Sequence, residues 1–135
     1  MYLYQGLFPH RMEMDQQNPH SVQATTGEAG APLVEVVVPE LSGVAQAGRE
    51  VFEVSCAACH GVNAAGQDGV APPLVHIIYE PNHHSDQSFY QAVRYGVRAH
   101  HWRFGNMPAI EGVGQSQVGD IIAYVRELQR ANGIF

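Results

Sequence analysis

The sequence predicts an all-α domain: three main helices joined by long loops and preceded by an extended arm. Three observations carry that expectation. Three stretches after residue 42 repeat apolar residues at helical spacing. Only one stretch has strand character, and prolines close it at both ends. Two irregular stretches, roughly 61–84 and 98–115, are long for a chain of 135 residues, and such loops usually wrap something.

Residues 1–41 read as an acidic arm or linker. They carry one arginine against five acidic residues and are polar or proline-punctuated as far as Gly30. "PLVEVVVPE", Pro32 to Glu40, supports at most a short isolated or edge strand over 33–38, since proline donates no ladder bond. The domain proper is expected over 42–135. Its first helix runs from about Val44 to Ser55, with Val44, Gly48, Val51 and Phe52 at helical spacing. The second follows Ser85, a candidate N-cap, carries Phe89, Val93 and Val97, and stops around Gly96. The third follows Ser116. Its stripe is Val118, Ile121, Ile122, Val125 and Leu128; Arg126 and Arg130 are expected in its last turns, and Gly133 terminates it.

All seven basic residues are arginine, against thirteen acidic ones, for a net charge of −6. That balance argues against nucleic acid and anionic membrane surfaces as partners. No run approaches the roughly 20 apolar residues that span a bilayer. "MYLYQGLFPHRMEMDQQ" lacks the basic start and unbroken apolar run of a signal peptide, so an exported chain would have lost its signal or anchor from this sequence.

The chemistry concentrates in "VFEVSCAACHGVNAAGQ", which holds the chain's two cysteines, Cys56 and Cys59, with His60 directly after. Zinc needs four ligands and finds no second cysteine pair. A thioredoxin-like pair follows a strand, whereas the flanks here are helical. A plain disulfide has no use for His60. Covalent haem attachment uses all three: the two thiols add across the porphyrin vinyl groups, and the histidine becomes the proximal iron ligand. Such an iron needs a sixth ligand or an open face, and Met107 in "NMP" is the leading candidate, a soft neutral thioether that favours ferrous iron. A histidine in that position, giving lower potential, is the alternative.

With these residues in place, the segment Ser42 to Phe135 resembles the class I bacterial monohaem cytochromes c, of mitochondrial-type fold. The resemblance rests on Gly48 and Phe52 ahead of Cys56, on C-x-x-C-H, "APPL" (Ala71 to Leu74), "NMP" and "DIIAYVREL". It implies that Gly48 lets the first and last helices cross closely beside Ile121. It also implies that Phe52 packs on Tyr124, and that the Pro72 carbonyl accepts the second N–H of His60. One covalently attached haem c follows as cofactor, with Cys56, Cys59, His60, Met107 and Pro72 at its site. Arg98, with Arg94 and Arg103, is expected either to hold haem propionates or to form a local docking patch. Trp102, His100 or His101 is expected to hydrogen-bond a propionate or line the crevice.

The resemblance implies a periplasmic electron-transfer protein rather than an enzyme, serving redox partners that the sequence does not name. The lysine ring by which mitochondrial members dock is missing. Two other readings stay open at this stage: a haem subunit or detached domain of a larger, copper-containing oxidoreductase, and a ligand-binding sensor or peroxidase in which Met107 leaves the iron. Haem explains one histidine of eight. His83-His84 and His100-His101 are paired, His76 lies nearby, and the arm adds His10, Met12, Met14 and His20, a composition suited to copper.

Overall fold

The computed structural model describes residues 30–135. Its helices are α1 (Gly43–Ser55), α2 (Ala57–His60), α3 (Asp86–Tyr95) and α4 (Gln115–Ala131), with 3-10 turns at Val62–Ala64 and Ile77–Tyr79. The fold is all-α, and its three long helices are the predicted ones. The single turn α2, in the C-x-x-C-H stretch, is not among the three predicted helices.

The core forms where α1 crosses α4. Glycine in a helix interior costs about 1 kcal/mol relative to alanine, and Gly48 stands there because a Cβ would overlap the backbone of Asp120 and Ile121. One turn further on, the rings of Phe52 and Tyr124 meet with centroids 5.4 Å apart, tilted by 57°. Both are fully buried, together with Ala64, Val125 and Leu128, and Ile121 and Val75 complete the cluster.

Residues 30–41 lie on this core. Val36, Val38 and Leu41 pack against it, yet 33–38 is not a strand. Its backbone finds single partners. The amides of Leu33 and Val34 donate to Ala65 O, at 3.0 and 3.3 Å. Asn132 then acts as a one-residue strand edge: its Oδ1 accepts the Val37 N–H at 2.9 Å and its Nδ2 donates to the Val37 carbonyl at 2.8 Å.

The helix ends follow local chemistry. Ser85 does precede α3, but its hydroxyl caps nothing; instead Ser88 Oγ donates to the Ser85 carbonyl at 2.6 Å. α4 begins earlier than expected because Gln117 Oε1 accepts the Gly114 N–H at 3.0 Å and makes Gly114 the cap. Gly133, at φ 80°, closes α4 as predicted, and the following Ile134 N–H returns to Gln129 O at 2.9 Å.

Arg126 departs most from expectation. It sits inside α4 rather than in its last turn, and it is buried, at 6 % exposure. Its guanidinium donates to the carbonyls of Tyr79 and His84, both at 2.6 Å, to Gln129 Oε1 at 2.8 Å and to Asp86 Oδ1 at 3.0 Å. Phe89 lies beneath it, 4.9 Å from ring centroid to Cζ. Gln129 adds bonds to Leu74 O and Tyr79 O, at 3.0 and 2.9 Å. Two polar residues of α4 therefore pin the long loop 74–84. Arg126→Met should lower stability by about 2 kcal/mol in urea melts, the cost of stranding partly buried carbonyls. Asp86→Asn should cost less than about 1 kcal/mol, because that carboxylate is exposed.

Candidate functional site

α1 breaks at Cys56, and the chain restarts as one tight turn. The N–H groups of Cys59 and His60 both donate to Cys56 O, at 3.1 and 2.9 Å. A short helix leaves its final carbonyls without partners, and Gln67 supplies one: its Nε2 donates to Ala57 O, Ala58 O and Cys59 O at 3.1, 2.6 and 3.1 Å. Gly61, at φ 79°, reverses the chain so that Gly66 N–H can reach His60 O at 2.7 Å. A Cβ at Gly61 would meet the Gly66 carbonyl. Gln67 was not singled out by the sequence, and nothing in "GVNAAGQDG" distinguishes it from a solvated loop residue. Gln67→Ala should cost about 1–2 kcal/mol and should lower the fraction of purified protein carrying cofactor, read from the ratio of visible to ultraviolet absorbance.

His60 is the pivot of the site. Its Nδ1–H donates to the Pro72 carbonyl at 2.9 Å, which leaves Nε2 with the free lone pair. Burial holds its pKa below the ordinary histidine value, against the opposing pull of the Pro72 bond, so the ring is neutral at neutral pH. Burial, with Cys59 adding to it, pushes the Cys56 thiol up to about 11. Cys56 is half-buried and Cys59 exposed. Two thiols and a neutral imidazole whose other nitrogen is already bonded to a carbonyl form the donor set that a thioether-linked haem requires.

A family model described as Cytochrome c matches residues 45–129. The chain belongs to the cytochrome c family. No curated protein and no solved structure matches it. Its cofactor is haem c, held covalently through two thioethers, and Cys56 and Cys59 are the chain's only cysteines.

In this cytochrome c Met107 follows α3 on a segment pinned at its backbone. Val97 and Met107 exchange both N–H···O bonds, at 2.9 and 2.8 Å. Gly96 lies directly against the Met107 carbonyl, where a Cβ would collide. Asn106 Oδ1 takes the Ala99 N–H at 2.9 Å, and Ile110 N–H reaches Val93 O at 2.8 Å. Met107 itself is half-buried, and it is the only methionine after residue 14.

Arg98 and Trp102 lie in the segment between α3 and Met107. The Trp102 Nε1–H donates to Tyr79 Oη at 3.0 Å, so its one hydrogen-bond donor ties two loops together. Arg98 is exposed, and its carbonyl accepts His100 Nδ1–H at 2.9 Å. Arg94 and Arg103 are also exposed, with Arg94 over the Tyr95 ring. Among the described residues, none of the three arginines has an acidic partner.

The two histidine pairs, distant in sequence, come together. Ring centroids of His83 and His101 are 5.2 Å apart, those of His84 and His101 5.5 Å, and those of His100 and His101 4.2 Å. Partial desolvation and the neighbouring His100, His83 and His84 hold the pKa of His101 below its ordinary value. His76 stays apart: its Nδ1 accepts the Ile78 N–H at 3.1 Å and its ring meets Trp102 edge-on. His10, Met12, Met14 and His20, the expected copper-suited arm, lie outside the described residues.

Proposed function

We propose that this cytochrome c is an electron carrier rather than an enzyme, with His60 and Met107 as axial ligands, working in the periplasm of a bacterial cell. The bond from His60 Nδ1–H to Pro72 O carries the reading. It selects the tautomer in which Nε2 is the donor, and it makes that nitrogen a stronger base without giving the ring a charge. When bound, the haem iron supplies a one-electron ferric/ferrous couple.

Met107 contributes a neutral thioether that favours the reduced state. Its backbone is paired to Val97 in both directions, so the ligand loop needs little rearrangement between oxidation states. Partners dock without a lysine ring, since the chain has no lysine. The exposed Arg94, Arg98 and Arg103 offer the basic patch that remains, next to the Met107 loop in sequence. The periplasm is the compartment that the family's covalent haem chemistry calls for. No helix among the described residues is long and apolar enough to cross a membrane.

Anaerobic titration of the ferric protein with a one-electron reductant tests this reading. The carrier takes up about one electron per haem, returns it to an oxidant and shows no turnover with peroxide. Sustained peroxide turnover would make it an enzyme.

A further inference from the structure

We propose that His83, His84 and His101 form a binding site for a divalent transition metal of the imidazole-preferring class, Zn2+ or Cu2+, separate from the haem. One ring nitrogen from each of the three lies within 4.8 Å of the other two. His83 Nε2 and His101 Nε2 lie 3.4 Å apart. Two nitrogens bound to zinc at about 2.0–2.1 Å in a tetrahedron stand roughly 3.3–3.4 Å apart. The spacing of that pair is therefore already the edge of such a site.

The supporting bonds point the same way. His84 Nδ1–H donates to Ile78 O at 2.6 Å, which leaves Nε2 as its free nitrogen. Histidine ligands are commonly oriented by a bond of this kind to a backbone carbonyl. The backbone beneath is held too. His83 N–H and His84 N–H both donate to Glu80 O, at 3.0 and 2.8 Å, and His84 O receives Arg126 Nη2 at 2.6 Å. The His84 ring leans on Tyr79, whose Oη holds Trp102. A plain imidazole pair accounts for His83 and His101, but not for a third ring placed within ligand distance.

The donor set is three neutral nitrogens, so it selects against Mg2+ and Ca2+, which want oxygen. Three protein ligands leave a fourth position for water or an exogenous group. His83 and His84 sit in the loop pinned by Arg126, whereas His101 sits in the segment before Met107. An ion held among them clamps the two loops together.

The test is calorimetric titration of the haem-loaded protein with Zn2+, paired with thermal melts at saturating Zn2+. One equivalent should bind in the presence of excess Mg2+ and raise the melting temperature. His101→Ala and, as a second variant, His83→Gln should each weaken that binding by roughly tenfold or more. The haem spectrum of His83→Gln should be unchanged, since that side chain is exposed. His10→Ala/His20→Ala should leave the site intact. No binding, binding unaffected by either cluster variant, or binding lost only with the His10 and His20 changes would overturn the proposal. Zinc binding and the melting shift it causes do not use the iron, so failure here leaves the carrier assignment standing, and the reverse holds as well.

Discussion

Gly48→Ala should destabilise the protein, although alanine is the better helix former. The propensity gain is about 1 kcal/mol. Against it stands a methyl group that would overlap the Asp120 carbonyl, backbone held inside α4 and unable to swing aside. Relieving the overlap means spreading α1 from α4, and that opens the layer in which Phe52, Tyr124, Val125 and Leu128 are fully buried. Overpacking a rigid contact costs about 1–3 kcal/mol and sometimes more, so the net loss should be about 2 kcal/mol or above. Gly48→Val should leave little folded protein. Gly119→Ala is the internal control. Its new Cβ would meet only the tip of the Tyr90 side chain, at 3.1 Å, and a side-chain end can move. That variant should be neutral or gain up to about 1 kcal/mol. Denaturant midpoints of the three variants decide it: equal effects of alanine at positions 48 and 119 would mean the crossing is not a tight one.

Met107→Ala should change the iron's behaviour far more than the fold. The backbone bonds between Val97 and Met107 do not depend on the side chain, and Met107 is not among the buried core residues. The melting temperature should therefore move modestly. The reduction potential should fall by on the order of tenths of a volt, the scale over which axial ligands set haem potentials. The ferric spectrum should turn high-spin, and carbon monoxide should bind the reduced form. Pro72→Ala is predicted to do much less, because the group that His60 uses is the backbone carbonyl, which the substitution keeps. A potential that stayed put in Met107→Ala would identify a different sixth ligand, with the histidines as first candidates.

The fold and the attachment motif were legible for different reasons. Each long helix showed an apolar stripe, and that pattern follows from burial alone, whatever the partner. Cys56, Cys59 and His60 were legible because the chemistry demands those side chains at that spacing. What escaped depends on side chains serving backbone groups far away in sequence. Arg126 reads as a helix-end charge until α4 is packed against the loop 74–84, where it donates to Tyr79 O and His84 O. Gln67 caps a helix ten residues upstream, and a lone glutamine in a glycine-rich stretch carries no period to reveal it. Residues 33–38 had strand composition but met only Asn132 and Ala65, and a strand needs a neighbouring strand. The paired histidines were visible as a composition, whereas their convergence required the two loops to be placed.

The measurement closest to the central claim is the visible spectrum of the purified protein, oxidised and reduced, with and without carbon monoxide. A low-spin haem is expected in both states, with the weak long-wavelength band of a sulfur-to-ferric-iron bond and no response to carbon monoxide. A high-spin ferric spectrum, or a prompt shift on adding carbon monoxide, would contradict ligation by Met107 and the carrier role built on it.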